Sequence, residues 1–214
     1  MAYKYNFNST KPRRFYTIVR PLAKLVIGAK YKINYIGAEN IPTDRGFILA
    51  SNHITALDPV IIANGCNANL HFMAKNDLFK NPVVARFLSG LNSFPVDRSK
   101  FDYDAVDYAV RIVKDGGSIG IFPEGTRSKD FKPHKGKGGV CYIAKQCKCD
   151  VVPVSIYTED EAKSGTRLTV RYGKVIKYEE LEINEESEKM KDLRKGIEVI
   201  MSRIVSLWEE GHED

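Results

Sequence analysis

The chain has 214 residues, 43% hydrophobic and 28% charged, with a net charge of +6 and a pI near 9.0. That composition excludes a disordered or low-complexity chain and suits one domain with a real core, with disorder expected only at the two ends. The basic balance favours anionic partners, whether nucleic acid, anionic lipid or phosphorylated metabolites, without choosing among them.

Residues 12–28 come first. Phe15, Ile18, Val19, Leu22, Leu25 and Val26 follow a helical stripe, and Arg13, Thr17, Arg20 and Lys24 fall opposite. Pro21 predicts a break into two short helices, the second starting at Pro21. A broad apolar stripe with basic residues suits a helix lying in a membrane surface, and it equally suits a helix packed on a core. No run reaches the roughly 18 apolar residues expected of a membrane-crossing helix. Residues 1–30 are therefore expected as an amphipathic membrane-surface segment ahead of a domain spanning 31–214.

Strands are expected at 31–36, 47–51, 70–74, 118–122, 151–156 and 167–172. Several are short continuous apolar runs, such as Phe47-Ile48-Leu49-Ala50, as in strands covered on both faces. Strands alternating with helical patterns predict an α/β fold with a mainly parallel central sheet covered by helices. A helix is expected at 102–115, with Val106, Ala109, Val110 and Val113 on its apolar face and Gly116-Gly117 as its stop. Another is expected at 185–209, with Met190, Leu193, Ile197, Ile200, Ile204 and Leu207 facing inward. Glu185, Glu186 and Glu188 would then sit near its positive end. It reads as a cover helix, with a coiled-coil dimer as the alternative. The four cysteines, 66, 141, 147 and 149, fit no zinc template and follow no secretory leader, so reduced thiols packed as small apolar groups are expected.

The chemistry lies in loops that follow strands, where catalytic groups of parallel sheets gather. Ser51-Asn52-His53-Ile54-Thr55-Ala56-Leu57-Asp58-Pro59 follows the strand at 47–51. Positions five apart do not align on one helix, so His53 and Asp58 meet only across a turn. Pro59 supports that turn and makes Asp58 the expected N-cap of a helix. Capping alone would account for the aspartate. Phe122-Pro123-Glu124-Gly125-Thr126-Arg127-Ser128 follows another strand and offers a flexible glycine, hydroxyls and an arginine fork suited to phosphate. Phe94-Pro95-Val96-Asp97-Arg98-Ser99, and Lys135 to Gly139 opening a helix, are further basic loops. They match neither the P-loop nor the dinucleotide fingerprint, and the absence of a G-x-S-x-G elbow gives no sign of a serine acyl-enzyme.

Taken in order, these blocks resemble the 1-acylglycerol-3-phosphate acyltransferase family. Asn52-His53 through Asp58 matches N-H-x-x-x-x-D, Phe94 through Arg98 matches the second block, and Phe122 through Ser128 matches F-P-E-G-T-R-S unchanged. Val152-Pro153-Val154 matches the last block, with Lys137-Gly138 in the basic stretch between. The resemblance implies acyl transfer from a thioester, of coenzyme A or acyl carrier protein, to the sn-2 hydroxyl of a lysophospholipid phosphate, giving phosphatidic acid. It implies His53 as general base held by Asp58, with Arg98, Glu124, Gly125, Thr126, Arg127 and Lys137 on the substrates. Neither a metal nor a cofactor is expected. The place implied is the cytoplasmic face of a membrane, bound peripherally. Glu124 is open between a substrate hydroxyl and an arginine partner, and backbone N–H groups around Gly125 are expected oxyanion donors. Other readings are transfer to glycerol-3-phosphate or another lysolipid, and a non-catalytic membrane-binding module. Nucleic acid is not an expected partner, since no binding motif accompanies the high pI.

Overall fold

The apolar runs at 48–51 and 151–157 lie side by side at the centre of a seven-stranded sheet in a computed structural model that describes residues 3–12, 14–186 and 190–213. The strands are β1 (Lys32–Ile36), β2 (Ile48–Ser51), β3 (Leu70–Lys75), β4 (Ser93–Val96), β5 (Ser118–Ile121), β6 (Val151–Tyr157) and β7 (Arg167–Tyr172), in the order β1-β7-β6-β2-β5-β3-β4. β2 to β6 are mutually parallel, while β7 runs antiparallel to β6 and pairs in parallel with β1. The mainly parallel sheet expected from sequence is therefore present. β4 was not expected. Its Pro95 donates no ladder hydrogen bond, which an edge strand tolerates.

The helices are α1 (Arg14–Lys30), α2 (Asp58–Gly65), α3 (Pro82–Gly90), α4 (Tyr103–Lys114), α5 (Gly139–Cys147) and α6 (Arg194–Glu209). The β2-α2-β3 and β3-α3-β4 crossovers step towards the β4 edge, whereas β4-α4-β5 and β5-α5-β6 step back. Right-handed crossovers of opposite direction place their helices on opposite faces. Two cores result. One is built on Leu49, Ile61, Ile62 and Val154, the other on Ile48, Ile112, Ile143 and Ile200. The adjacent strands β2 and β5 send their chains to opposite faces, so a crevice opens at their carboxyl ends.

Three expectations are corrected. Pro21 does not break the first helix, because α1 runs unbroken past it. An internal proline costs about 3 kcal/mol. Tyr16 and Ile27, on either side of it, are both buried, and burying such side chains returns about 1.5–3 kcal/mol each. The last helix starts later than expected, at Arg194, after a 3-10 turn at Met190–Leu193. Glu185 is drawn to Lys148 and the Tyr178 hydroxyl instead of the helix start. Arg13 and Glu188, expected on the first helix's polar side and at the last helix's start, lie outside the described residues. The third correction concerns the N-terminal segment's packing. Tyr5 is buried against Phe79 and Tyr108, and Tyr108 donates its hydroxyl to the Ser9 carbonyl at 2.7 Å. Residues 3–12 are thus ordered on the core and not a disordered end.

Candidate active site

The crevice holds the expected pair. His53 follows β2 directly, and its Nδ1 lies 2.7 Å from an Asp58 carboxylate oxygen. Asp58 is fully buried, and His53 is 9% exposed. Asp58 does not act as the expected N-cap. It is the first residue of α2, and the cap position is Leu57, with no side-chain bond. The Asp58 carboxylate turns back instead. It accepts the Ile54 and Thr55 N–H groups at 2.6 and 2.9 Å and the Thr55 hydroxyl at 2.7 Å. A buried carboxylate with this many donors is held in a fixed direction. Thr55 was not singled out from sequence, although a hydroxyl residue three before an aspartate is a recognisable local hydrogen-bonding pattern.

Two neighbours fix the ring. Phe122, at the end of β5, stacks on His53 with centroids 4.0 Å apart and planes 17° apart. Ser128 N–H donates to the His53 carbonyl at 2.7 Å, tying the β5 loop to the β2 loop. Asn52 fastens the other side. Its amide donates to the Ile156 carbonyl at 2.9 Å and accepts the Ile156 N–H at 2.8 Å, extending the β2-β6 ladder with a side chain.

A cavity of about 250 Å³ opens beside His53. Met73, Val106, Ile121 and Ile143 line its apolar part, and Arg98, Lys100 and Lys137 are among its polar lining. Arg98 is aimed by a pinned loop. Asp97 accepts the Ser99 N–H and hydroxyl, and Asp102 accepts the Asp97 N–H while capping α4. Arg98 Nη1 then donates to the Gly125 carbonyl at 2.9 Å, and partial desolvation lowers its pKa from the ordinary value. Arginine stays charged even so. Lys137 is anchored by its own N–H to the Pro123 carbonyl at 2.8 Å. Gly125 adopts φ +74°, and a Cβ there would lie 3.1 Å from Lys137 Nζ. Gly139 and Val140, in the first turn of α5, also line the cavity, and no side chain caps that helix. The amino end of this helix adds further positive potential.

Of the eight residues singled out from sequence, His53, Arg98, Gly125 and Lys137 line this cavity, and Asp58 stands behind His53. Glu124, Thr126 and Arg127 do not line it. Glu124 is buried, and its carboxylate accepts the His134 N–H at 3.4 Å, a contact that holds the loop. Burial raises its pKa, opposed by the His134 and His53 backbone N–H groups. Thr126 and Arg127 are exposed. The Gly125 N–H closes a turn on the Phe122 carbonyl at 3.0 Å, so that group is already spent as a donor.

A sequence model described as Acyltransferase matches residues 32–157, more than half of the chain. The chain is 32% identical over 133 residues to a 1-acyl-sn-glycerol-3-phosphate acyltransferase of Bacillus subtilis, covering 62% of this chain and 66% of that one. It is 31% identical over 213 residues to the enzyme of the same name from Streptococcus pneumoniae, covering 94% and 75%. The crystal structure of a 1-acyl-sn-glycerophosphate acyltransferase from Thermotoga maritima superposes with a TM-score of 0.69 at 26% identity, covering 89% of this chain and 78% of that one.

Proposed function

The chain belongs to the acyltransferase family, and on that premise we propose that it transfers a fatty acyl chain from a thioester to the free sn-2 hydroxyl of 1-acylglycerol-3-phosphate, forming phosphatidic acid. One observation carries the assignment. A histidine held by a buried aspartate opens on the same cavity as Arg98 and Lys137.

An alcohol is a poor nucleophile until a base takes its proton. With Nδ1 committed to Asp58, Nε2 of His53 is the nitrogen left to act. It accepts the hydroxyl proton as the alkoxide oxygen bonds to the thioester carbonyl carbon. The tetrahedral intermediate collapses with loss of thiolate, and the imidazolium returns its proton to that sulfur. Asp58 fixes the tautomer and stabilises the imidazolium between these transfers. A phosphate held by Arg98, Lys137 and the amino end of α5 anchors the acceptor, and the apolar wall suits an acyl chain. The thioester is that of coenzyme A or acyl carrier protein. The protein works bound to the cytoplasmic face of a membrane without crossing it. In support, the apolar stripe of α1 faces outward, and among the described residues no helix is long and apolar enough to span a bilayer. All four cysteines are free thiols, as suits a reducing compartment.

The test is thiol release across acceptors: lysophosphatidate, glycerol-3-phosphate and monoacylglycerol. Lysophosphatidate should turn over fastest. A faster rate with glycerol-3-phosphate would move the activity to that acceptor. No release with any acceptor and either donor would leave a binding module.

A further inference from the structure

A surface helix normally buries its apolar stripe. α1 does the reverse. Ile18, Leu22 and Leu25 are 74%, 60% and 70% exposed, while Tyr16 is buried and Arg20 is turned in to the Cys66 carbonyl. α3 behaves in the same way, with Val83 72% and Phe87 50% exposed. The two apolar faces are joined. The rings of Phe15 and Phe87 lie 6.2 Å apart at 79°, and Phe15 fills the space that a Cβ on Gly90 would need, 2.4 Å from its ring.

The charge around this surface identifies its occupant. Neither helix contains an Asp or Glu, while Lys24, Lys30 and Arg86 are cationic. Asp77, in the turn ahead of α3, is held between Lys75 and Lys80. Exposed apolar side chains among cations, without acids, match an anionic bilayer surface. A second copy of this +6 chain would set like charge against like.

We propose that α3 is a second lipid-facing element, which together with α1 seats the protein on an anionic bilayer along two helices. The proposal rests on the membrane-surface placement put forward above for α1 and extends it. A single surface helix can roll about its own axis. A second helix in contact with it fixes a plane. α3 leads into β4, and Val96 and Arg98 at the end of β4 line the cavity, so this plane also fixes the cavity's bearing on the lipid.

The experiment is co-sedimentation of the full chain with phosphatidylcholine vesicles with and without phosphatidylglycerol, for the wild type, an Ile18→Ser/Leu25→Ser variant and a Val83→Ser/Phe87→Ser variant. The wild type should sediment with the anionic vesicles, and each variant should partition about tenfold or more weakly. Retained binding by the α3 variant beside lost binding by the α1 variant overturns the proposal and leaves the α1 placement standing. No binding by the wild type removes both. A wild-type dimer that the α3 variant dissociates overturns the proposal in favour of a second copy. Should the serine variant unfold, Val83→Trp serves instead. Its fluorescence, taken as a difference from wild type, should be quenched by brominated acyl chains, and unquenched emission overturns the proposal.

Discussion

Asp58 separates orientation from charge at a single position. Its Oδ2 accepts the His53 Nδ1 proton and two backbone N–H groups, while Oδ1 accepts the Thr55 hydroxyl. In Asp58→Asn the amide oxygen therefore takes the Oδ2 place, and the amide nitrogen faces a hydroxyl able to accept. The imidazole keeps its tautomer and loses only the negative charge behind it. We expect kcat to fall by about two to three decades, with the melting temperature changed by a few degrees at most. Equal turnover in the two proteins would reduce Asp58 to a loop-holding residue. The phosphate assignment is tested at arginine. Losing a charge-assisted hydrogen bond costs about 1.5–3 kcal/mol, or about one to two decades in affinity. Arg98→Ala should raise the KM for lysophosphatidate by that range, and Arg127→Ala should change it far less, since Arg98 lines the cavity and Arg127 does not. Steady-state kinetics varying the acceptor decides, and a larger effect at Arg127 would relocate the phosphate. From sequence alone both arginines sat in polar loops suited to phosphate, and only the strand before Arg127 was visible. Only the pinned turn from Asp97 to Asp102 and the Gly125 carbonyl distinguish them.

Among the elements, legibility followed burial. β2 and β6 are buried along nearly their whole length because both faces are covered, so their mostly apolar runs stood out in the sequence. α4 was equally plain, with Ala109, Val110 and Val113 buried as its periodicity required. β4 was hidden by Pro95, and α3 by its length of only nine residues. The stripe on α1 was visible, but periodicity gives the spacing of a face and not its direction. Asn52 was legible as part of a motif and not as a structural tie. Its side chain satisfies both backbone groups of Ile156 in a fully buried place. Asn52→Ala leaves a buried N–H and C=O unpaired. That should cost about 3 kcal/mol, or about 6–12 °C in Tm by differential scanning calorimetry. A shift under about 2 °C would mean that other partners reach Ile156.

At the scale of the molecule, the sheet's connectivity concentrates the chemistry. Chains leaving β2 and β5 part to opposite faces and leave room between them, where His53 comes from one loop and Phe122, Gly125 and Lys137 from the other. Arg98 arrives from the edge strand β4, across β3. No one of these loops is a site, and the Ser128 to His53 and Arg98 to Gly125 hydrogen bonds are what lock them together. The central claim is that this assembly works by general-base catalysis through His53. Its most direct test is thiol release by purified His53→Gln beside wild type, at saturating lysophosphatidate and acyl thioester, with melting curves for both. Glutamine can keep a hydrogen bond to Asp58 but cannot take the acceptor's proton. We expect a kcat lower by about two to four decades in a protein that melts within a few degrees of wild type. Turnover within a factor of a few of wild type, in a folded His53→Gln protein, would contradict the claim.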